Sequence, residues 1–326
     1  MQIFIWTVVF VASLALLIKA ADYFTKYSEK IGLLFGMSSF VIGATIVAIG
    51  TSLPELISSL YAVVEAGTTE FVADNIIGSN IANALLILGI SALVARTLKI
   101  KTSLIDTQLP FFFMSMAVFV LFAWDGSITP VEGIFLLGMF VIFVLYMLRS
   151  GSPQEDKEEL KQLKEQFNGD KKSKQKYINI LKYSGVILIS MVGIFFGAKY
   201  FIDSLLALSE LVGITSSILT LTVVAIGTSL PEVITSVVAV RHGNHGMAIG
   251  NVLGSNTFNL LLVGGLPALF GTLTISNATM AIGLPFLVVA TFATIFAIFD
   301  NKIRLWEGVA LLFLYIVFLA QIVGVI

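Results

Sequence analysis

The sequence predicts an all-α polytopic membrane protein with ten transmembrane helices arranged as two inverted five-helix repeats. Three observations lead there. Of 326 residues, 57% are hydrophobic and 12% are charged, whereas a soluble domain carries about 25% charged residues. The apolar residues fall in long blocks, most near the ~20 residues that a helix needs to cross hydrocarbon. A nine-residue motif occurs twice, once in each half of the chain.

Taken in order, the expected spans are 3–21, 36–64, 74–94, 106–123, 130–148, 179–201, 214–240, 248–270, 279–298 and 305–324. The first has no basic leader and no small-residue cleavage site, so it reads as a retained span and not a signal peptide. Connections are short except for 149–178, which is polar and charged. This stretch is too short to hold a core of its own and reads as a solvated linker, with a short helix expected over 158–167. The chain therefore divides into a first repeat (1–148), a charged linker (149–178) and a second repeat (179–326). With the N-terminus outside, Lys26, Lys30, Arg96, Lys99, Lys101, Arg241, Lys302, Arg304 and the whole linker face the cytoplasm. Glu65, Glu70, Asp74, Asp125, Glu132 and Glu210 face outward. That bias places both termini outside and the linker in the cytoplasm of a cell in whose inner or plasma membrane the protein resides.

Net charge is -1 and there is no cysteine. A global basic signal for nucleic acid is absent, and disulfides, cysteine metal sites and thiol nucleophiles are excluded. There is no Walker-type glycine loop and no nucleophile–base constellation. The sequence thus offers nothing for ATP-driven work or catalysis, calls for no cofactor and names no protein partner. The lipid bilayer is its surroundings.

Val47-Ala48-Ile49-Gly50-Thr51-Ser52-Leu53-Pro54-Glu55 recurs unchanged as Val224 to Glu232, and Asn75 to Asn83 matches Asn251 to Asn259 around Gly-Ser-Asn. Packing alone would keep Leu, Val and Gly, not Glu, Ser, Thr and Asn inside apolar spans. Five helices per half turn the second half upside down, as in many secondary transporters that bind substrate at the midplane. Glu55 and Glu232 have no Lys or Arg at their depth, and an intramembrane carboxylate is a functional residue by default. Pro54 and Pro231 cannot donate to the carbonyls of Gly50 and Gly227. Each long span is therefore expected to break there and free carbonyls that, with carboxylates and hydroxyls, suit hard cations. Ser52 to Glu55 also reads as a capping box that starts the second half-helix. Ser79 and Asn83 share a helix face, as do Ser255 and Asn259. Asn80 and Asn256 fit either ion contact or helix gluing. His242 and His245 read as solvated loop residues, Asp22 aligns with Lys199 across the halves, and Gly32 and Gly36 suit close helix contact.

At these motifs the sequence resembles the prokaryotic sodium/calcium exchangers of the cation/calcium antiporter superfamily, over its whole length. The resemblance implies antiport of Na⁺ against Ca²⁺ by alternating access, with the first and sixth helices gliding past a rigid remainder. It also implies twelve ion ligands: Ala48, Thr51, Ser52, Glu55, Ser79 and Asn83, with Ala225, Thr228, Ser229, Glu232, Ser255 and Asn259. The Ala and Thr positions would act through backbone carbonyls. Known exchangers of this type carry Asp where this chain has Asn259, which leaves the sodium stoichiometry open and admits H⁺ as counter-ion. A proton-coupled exchanger of Ca²⁺ or another divalent cation is the nearest alternative, and a cation channel or a membrane scaffold lies further off.

Overall fold

The computed structural model describes residues 2–65, 67–99, 108–150, 170–212 and 229–324. The chain is mostly helical, and the helices are α1 (Gln2–Leu34), α2 (Ser39–Val64), α3 (Thr69–Ala95), α4 (Leu109–Ala123), α5 (Pro130–Ser150), α6 (Asp170–Val212), α7 (Leu230–Arg241), α8 (245–268), α9 (Thr279–Ile298) and α10 (Leu305–Ile322). Seven of them, α1, α2, α3, α5, α6, α9 and α10, are long and apolar enough to cross a membrane. α4 is apolar but shorter. Of the expected span 214–240, only residues from Ser229 onward are described, and the expected helix over 158–167 lies outside the described residues.

Several helices outrun their hydropathy. α1 continues to Leu34 through Asp22, Lys26, Glu29 and Lys30, because a helix leaving hydrocarbon keeps its backbone bonds in water. α6 likewise starts at Asp170, inside the stretch read as linker. The two pair antiparallel along their length, with Phe10 against Phe201 and Tyr27 against Tyr183. Gly193 and Gly197 lie close over Ala20 and Leu17. The opposite faces of this pair are largely exposed apolar side chains, as a lipid-facing surface requires.

α2 is not broken at Gly-Thr-Ser-Leu-Pro. It runs through Pro54, and its irregularity lies one turn earlier, as a π-helical stretch at Gly43–Val47. One missing N–H at Pro54 costs less in hydrocarbon than opening a whole turn of backbone. π stretches also interrupt α3 at Ala82–Ile87 and α8 at Asn259–Val263, and one opens α9 at Thr279–Gly283. Such insertions rotate the remainder of the helix and recur at functional sites. The freed carbonyl of Ala84 accepts the Thr294 hydroxyl of α9 at 3.4 Å.

The buried centre is the crossing of α2 with α8. A Cβ on Gly250 would collide with the Phe40 carbonyl, one on Gly254 with the Ala44 backbone, and one on Gly43 with the Met247 carbonyl. Glycine is needed at these three positions because backbone meets backbone. Two further crossings repeat each other: α3 meets α10 at Gly89 and Gly308, and α8 meets α5 at Gly265 and Gly133, each glycine facing the other's carbonyl. Gly32 does approach α2, at Ile42, whereas Gly36 turns the chain at φ +75° with no close neighbour.

Two short antiparallel ribbons tie the ends. β1 (Thr97–Lys99) pairs with β4 (Lys302–Arg304) in the register Thr97↔Arg304, and β2 (Ser127–Ile128) pairs with β3 (Leu273–Thr274). α5 and α10 begin alike, each with a glutamate side chain accepting the backbone N–H three residues before it: Glu132 from Thr129 at 2.7 Å and Glu307 from Arg304 at 2.6 Å. At α5 the Glu132 N–H also donates back to Thr129 Oγ1 at 3.4 Å, which completes a capping box.

Replacing Gly254 with Val should lower the melting temperature of detergent-solubilised protein sharply or prevent folding, because backbone cannot yield as a side chain can, and overpacking costs about 1–3 kcal/mol even where it can. Gly138→Ala, with nothing within 4 Å of the added Cβ, should leave it unchanged or slightly raised. Size-exclusion thermostability of the two variants checks this.

Candidate ion-binding site

α2 and α7 bring the two glutamates together from opposite halves of the chain. Glu55 is 2% exposed and Glu232 1%. Ser52, one turn before Glu55 on α2, donates its hydroxyl to Glu232 Oε1 at 3.0 Å. That bond joins the two motifs directly.

It also settles the capping question. Ser52 lies inside a continuous helix, and its hydroxyl crosses to the other half. Ser229 does precede α7 at the N-cap position, but its side chain makes no capping bond. The backbone bond from the Val233 N–H to the Ser229 carbonyl, 3.0 Å, opens that helix.

Several buried polar atoms of the repeated motifs lack a partner among the described residues. Glu55 Oε2, Glu232 Oε2 and the hydroxyls of Ser79, Ser229 and Ser255 are buried without a hydrogen-bond partner among the described residues. The same holds for both side-chain polar atoms of Asn83 and for Asn259 Oδ1. Buried polar atoms are nearly always satisfied in proteins, so a group of orphans needs an explanation. Most of these are oxygens, which is what a desolvated hard cation coordinates. No group of three or more His, Cys, Asp or Glu forms among the described residues. Any cation held here would therefore depend on two carboxylates, hydroxyls, amide oxygens and backbone. That donor set suits Na⁺ or Ca²⁺ and not the nitrogen- and sulfur-seeking metals.

Each residue singled out from sequence can be located. Thr51 is buried, and its hydroxyl lies 3.1 Å from the Val47 carbonyl and 3.3 Å from that of Ala48. Ala48, Ser52, Glu55, Ser79 and Asn83 of the first half are buried, as are Ser229, Glu232, Ser255 and Asn259 of the second. Ala225 and Thr228 lie outside the described residues. Asn83 and Asn259 fall at repeat-equivalent π stretches, so the local backbone as well as the sequence is duplicated. Asn256 glues the halves: its amide donates to the Asn80 carbonyl at 3.2 Å, while the Asn80 amide stays on its own helix at the Ile76 carbonyl.

The histidines are not merely solvated. His242 pairs with Asp22 of α1 at 2.9 Å, and His245 Nδ1 accepts the Lys99 backbone N–H of β1 at 3.1 Å. Asn251 belongs to the second repeated motif but acquires no role from sequence alone. It reaches Thr51 across the halves. Its identity with Asn75 in the repeat is the one sequence signal that points to it.

The comparisons with known proteins agree with this geometry. The family model described as sodium/calcium exchanger protein matches residues 5–149 and 182–324. The sodium/calcium exchanger MaX1 of Methanosarcina acetivorans is 32% identical over 94% of this chain and 95% of its own. The human sodium/potassium/calcium exchanger 2 is 35% identical over 37% of this chain and 19% of its own. A structure of the sodium-calcium exchanger NCX_Mj, soaked with Na⁺ and Sr²⁺, superposes with a TM-score of 0.80 at 28% identity and covers 98% of this chain and 99% of its own. With the doubled motif, the paired buried glutamates and matches over nearly the whole length, the chain belongs to the sodium/calcium exchanger protein family.

Proposed function

We propose that this protein is a secondary active antiporter that exchanges Na⁺ for Ca²⁺ by alternating access, with the ions held between Glu55 and Glu232. The observation that carries the reading is the pair of buried glutamates, one from each half, with Ser52 of the first motif bonded to Glu232 of the second and other polar atoms of the two motifs left unsatisfied among the described residues. Ca²⁺ or Na⁺ would take Ser52, Glu55, Ser79 and Asn83 with Ser229, Glu232, Ser255 and Asn259, together with the backbone carbonyls of Ala48, Thr51, Ala225 and Thr228. Either ion neutralises the same carboxylates, so one must leave before the other binds, which is the condition for obligatory exchange.

Ten membrane helices in two inverted repeats, 1–148 and 179–326 on either side of the linker 149–178, fit the packing. α1 and α6 are repeat counterparts and run antiparallel. The two ribbons, and the two glycine crossings, exchange under the offset of the repeats. Between β2 and β3, which share one end of the bundle, the chain passes α5, α6, α7 and α8. Return to the same end takes an even number of crossings, so α7 belongs to a fourth span. The basic residues put the β1–β4 end in the cytoplasm and both termini outside an inner or plasma membrane.

Two carboxylates carry a charge of -2, which balances one Ca²⁺ or two Na⁺. A third Na⁺ would leave +1 in a low-dielectric site. With Asn at 259, exchange is read as two Na⁺ per Ca²⁺ and electroneutral.

Glu55→Gln or Glu232→Gln should each cut Na⁺-driven ⁴⁵Ca²⁺ uptake into proteoliposomes by about 100-fold or more, since breaking a buried charge arrangement costs about 3–5 kcal/mol. Undiminished uptake in both variants would sink the reading, and uptake that requires a pH gradient would make H⁺ the counter-ion. Ser52→Ala, which strips Glu232 of a donor, should weaken Ca²⁺ binding in calorimetry by about tenfold, the value of a hydrogen bond to a charged group. Asn259→Asp should turn uptake that ignores membrane voltage into uptake that follows it. Equal voltage dependence in both proteins would remove the electroneutral stoichiometry.

A further inference from the structure

The two halves are identical in sequence at a second polar pair, and the structure treats the copies differently. Asn251 of α8 is 1% exposed and Ser236 of α7, one turn past Glu232, is fully buried. The Asn251 amide donates to Ser236 Oγ at 2.9 Å and lies 3.5 Å from the Glu232 carbonyl. Its oxygen accepts the Thr51 hydroxyl of α2 at 3.3 Å. One side chain thus fastens α7, α8 and α2 beside the carboxylates. The repeat counterparts are Asn75 of α3 and Ser59 of α2, one turn past Glu55. Here the bond is missing: Asn75 Nδ2 and Ser59 Oγ are both buried and without a partner among the described residues. Thr228, the counterpart of Thr51, lies outside the described residues.

The copies sit on opposite sides of the glutamates. From Glu232, α7 leads through Ser236 to the loop where His245 meets β1. From Glu55, α2 leads through Ser59 toward the end where Thr69 meets Thr274 of β3 at 2.9 Å. Two donors and acceptors of the same kind, buried on either flank of one site, one pair joined and the other apart, are what a two-state element built from an inverted duplication requires. The two pairs carry the same side chains, so the difference between them is one of placement.

We propose that Asn251 with Ser236, and Asn75 with Ser59, are reciprocal locks: positioning pairs that fasten each glutamate-bearing helix to its neighbour on one side of the ion site, and of which one is closed at a time. The inference rests on the alternating-access reading above and adds the residues that seal each face. Neither asparagine serves as an ion ligand in it.

The chain has no cysteine, so single reporters can be read without background. Ser58→Cys and Thr235→Cys are repeat counterparts beside the two locks. The measurement is their rate of modification by a membrane-impermeant thiol reagent applied from either face of proteoliposomes. Asn251→Ala should speed labelling of the reporter at 235 from the β1–β4 face, and slow that at 58 from the opposite face, each about fivefold, the population shift that one buried hydrogen bond sustains. Asn75→Ala should do the reverse. Ser236→Ala, which removes one atom and leaves no cavity of consequence, should reproduce Asn251→Ala, and combining the two should add nothing further. Rates unmoved by these variants, or both reporters labelled faster together as in general loosening, would overturn the locks. So would an inert Ser236→Ala. The labelling rates do not depend on which ion is carried. Flux that proves not to be Na⁺-driven would therefore remove the antiport reading alone, whereas unmoved labelling in variants that still exchange ions would remove the locks alone.

Discussion

Two buried carboxylates, one from each half of the chain, form the constraint around which the rest is arranged. Each alone is costly at membrane depth, and together they repel. The protein brings them together nonetheless, fastening Ser52 of one half to Glu232 of the other. Such a centre cannot be surrounded by loosely packed helices, because water would relieve the charge and remove the need for a bound ion. The backbone-to-backbone meeting of α2 and α8 at Gly43, Gly250 and Gly254 answers that demand.

Duplication solves the geometric problem of supplying matching ligands from both sides of a point in the membrane. A half that enters upside down presents the same motif from the opposite direction, so one short sequence furnishes both sides. The antiparallel pairing of α1 with α6 and the exchange of the two end ribbons fit the proposed inversion. α1 and α6 are bound to each other through Ala20, Leu17, Gly193 and Gly197 with broad faces toward lipid. α1 also packs on α2, with Phe24 against Gly50 of the repeated motif and Gly32 against Ile42. His242 and Asp22 tie α1 to the α7–α8 loop at one end, a partly exposed pair that contributes little to stability.

Much of this was legible in the sequence, because two strong signals act at different scales. Long apolar blocks reveal where helices must lie, and the repeated Gly-Thr-Ser-Leu-Pro-Glu reveals where they must meet. What was not legible depends on backbone energetics that side-chain pattern does not encode. Pro54 reads as a break, yet the helix continues, because hydrocarbon penalises an open turn more than a single missing bond. The π stretches at Gly43–Val47, Ala82–Ile87 and Asn259–Val263 leave no compositional trace. They arise where backbones touch or where an Asn turns inward. α1 and α6 exceed their hydropathic limits, since hydropathy reports the bilayer and not the helix. Asn251 is visible as one residue of a run repeated within the chain, but its partners Thr51 and Ser236 lie 200 and 15 residues away, and only folding brings them together.

The charge of the site restricts what it can do more tightly than its shape does. On the proposed reading, amide and hydroxyl oxygens orient a cation without neutralising it, and the number of charges held at once would be set by Glu55 and Glu232. Asn83 and Asn259 occupy equivalent places, which makes the two halves alike in charge as well as in fold. A symmetric site with two negative charges treats one divalent ion and two monovalent ions as electrostatic equals. Which is held then depends on concentration and coordination number and not on net charge. An acidic residue at 259 would break both equalities at once, tilting the site toward the second half and admitting one more monovalent ion. The amide at that position thus ties the symmetry of the duplication to the balance of the exchange.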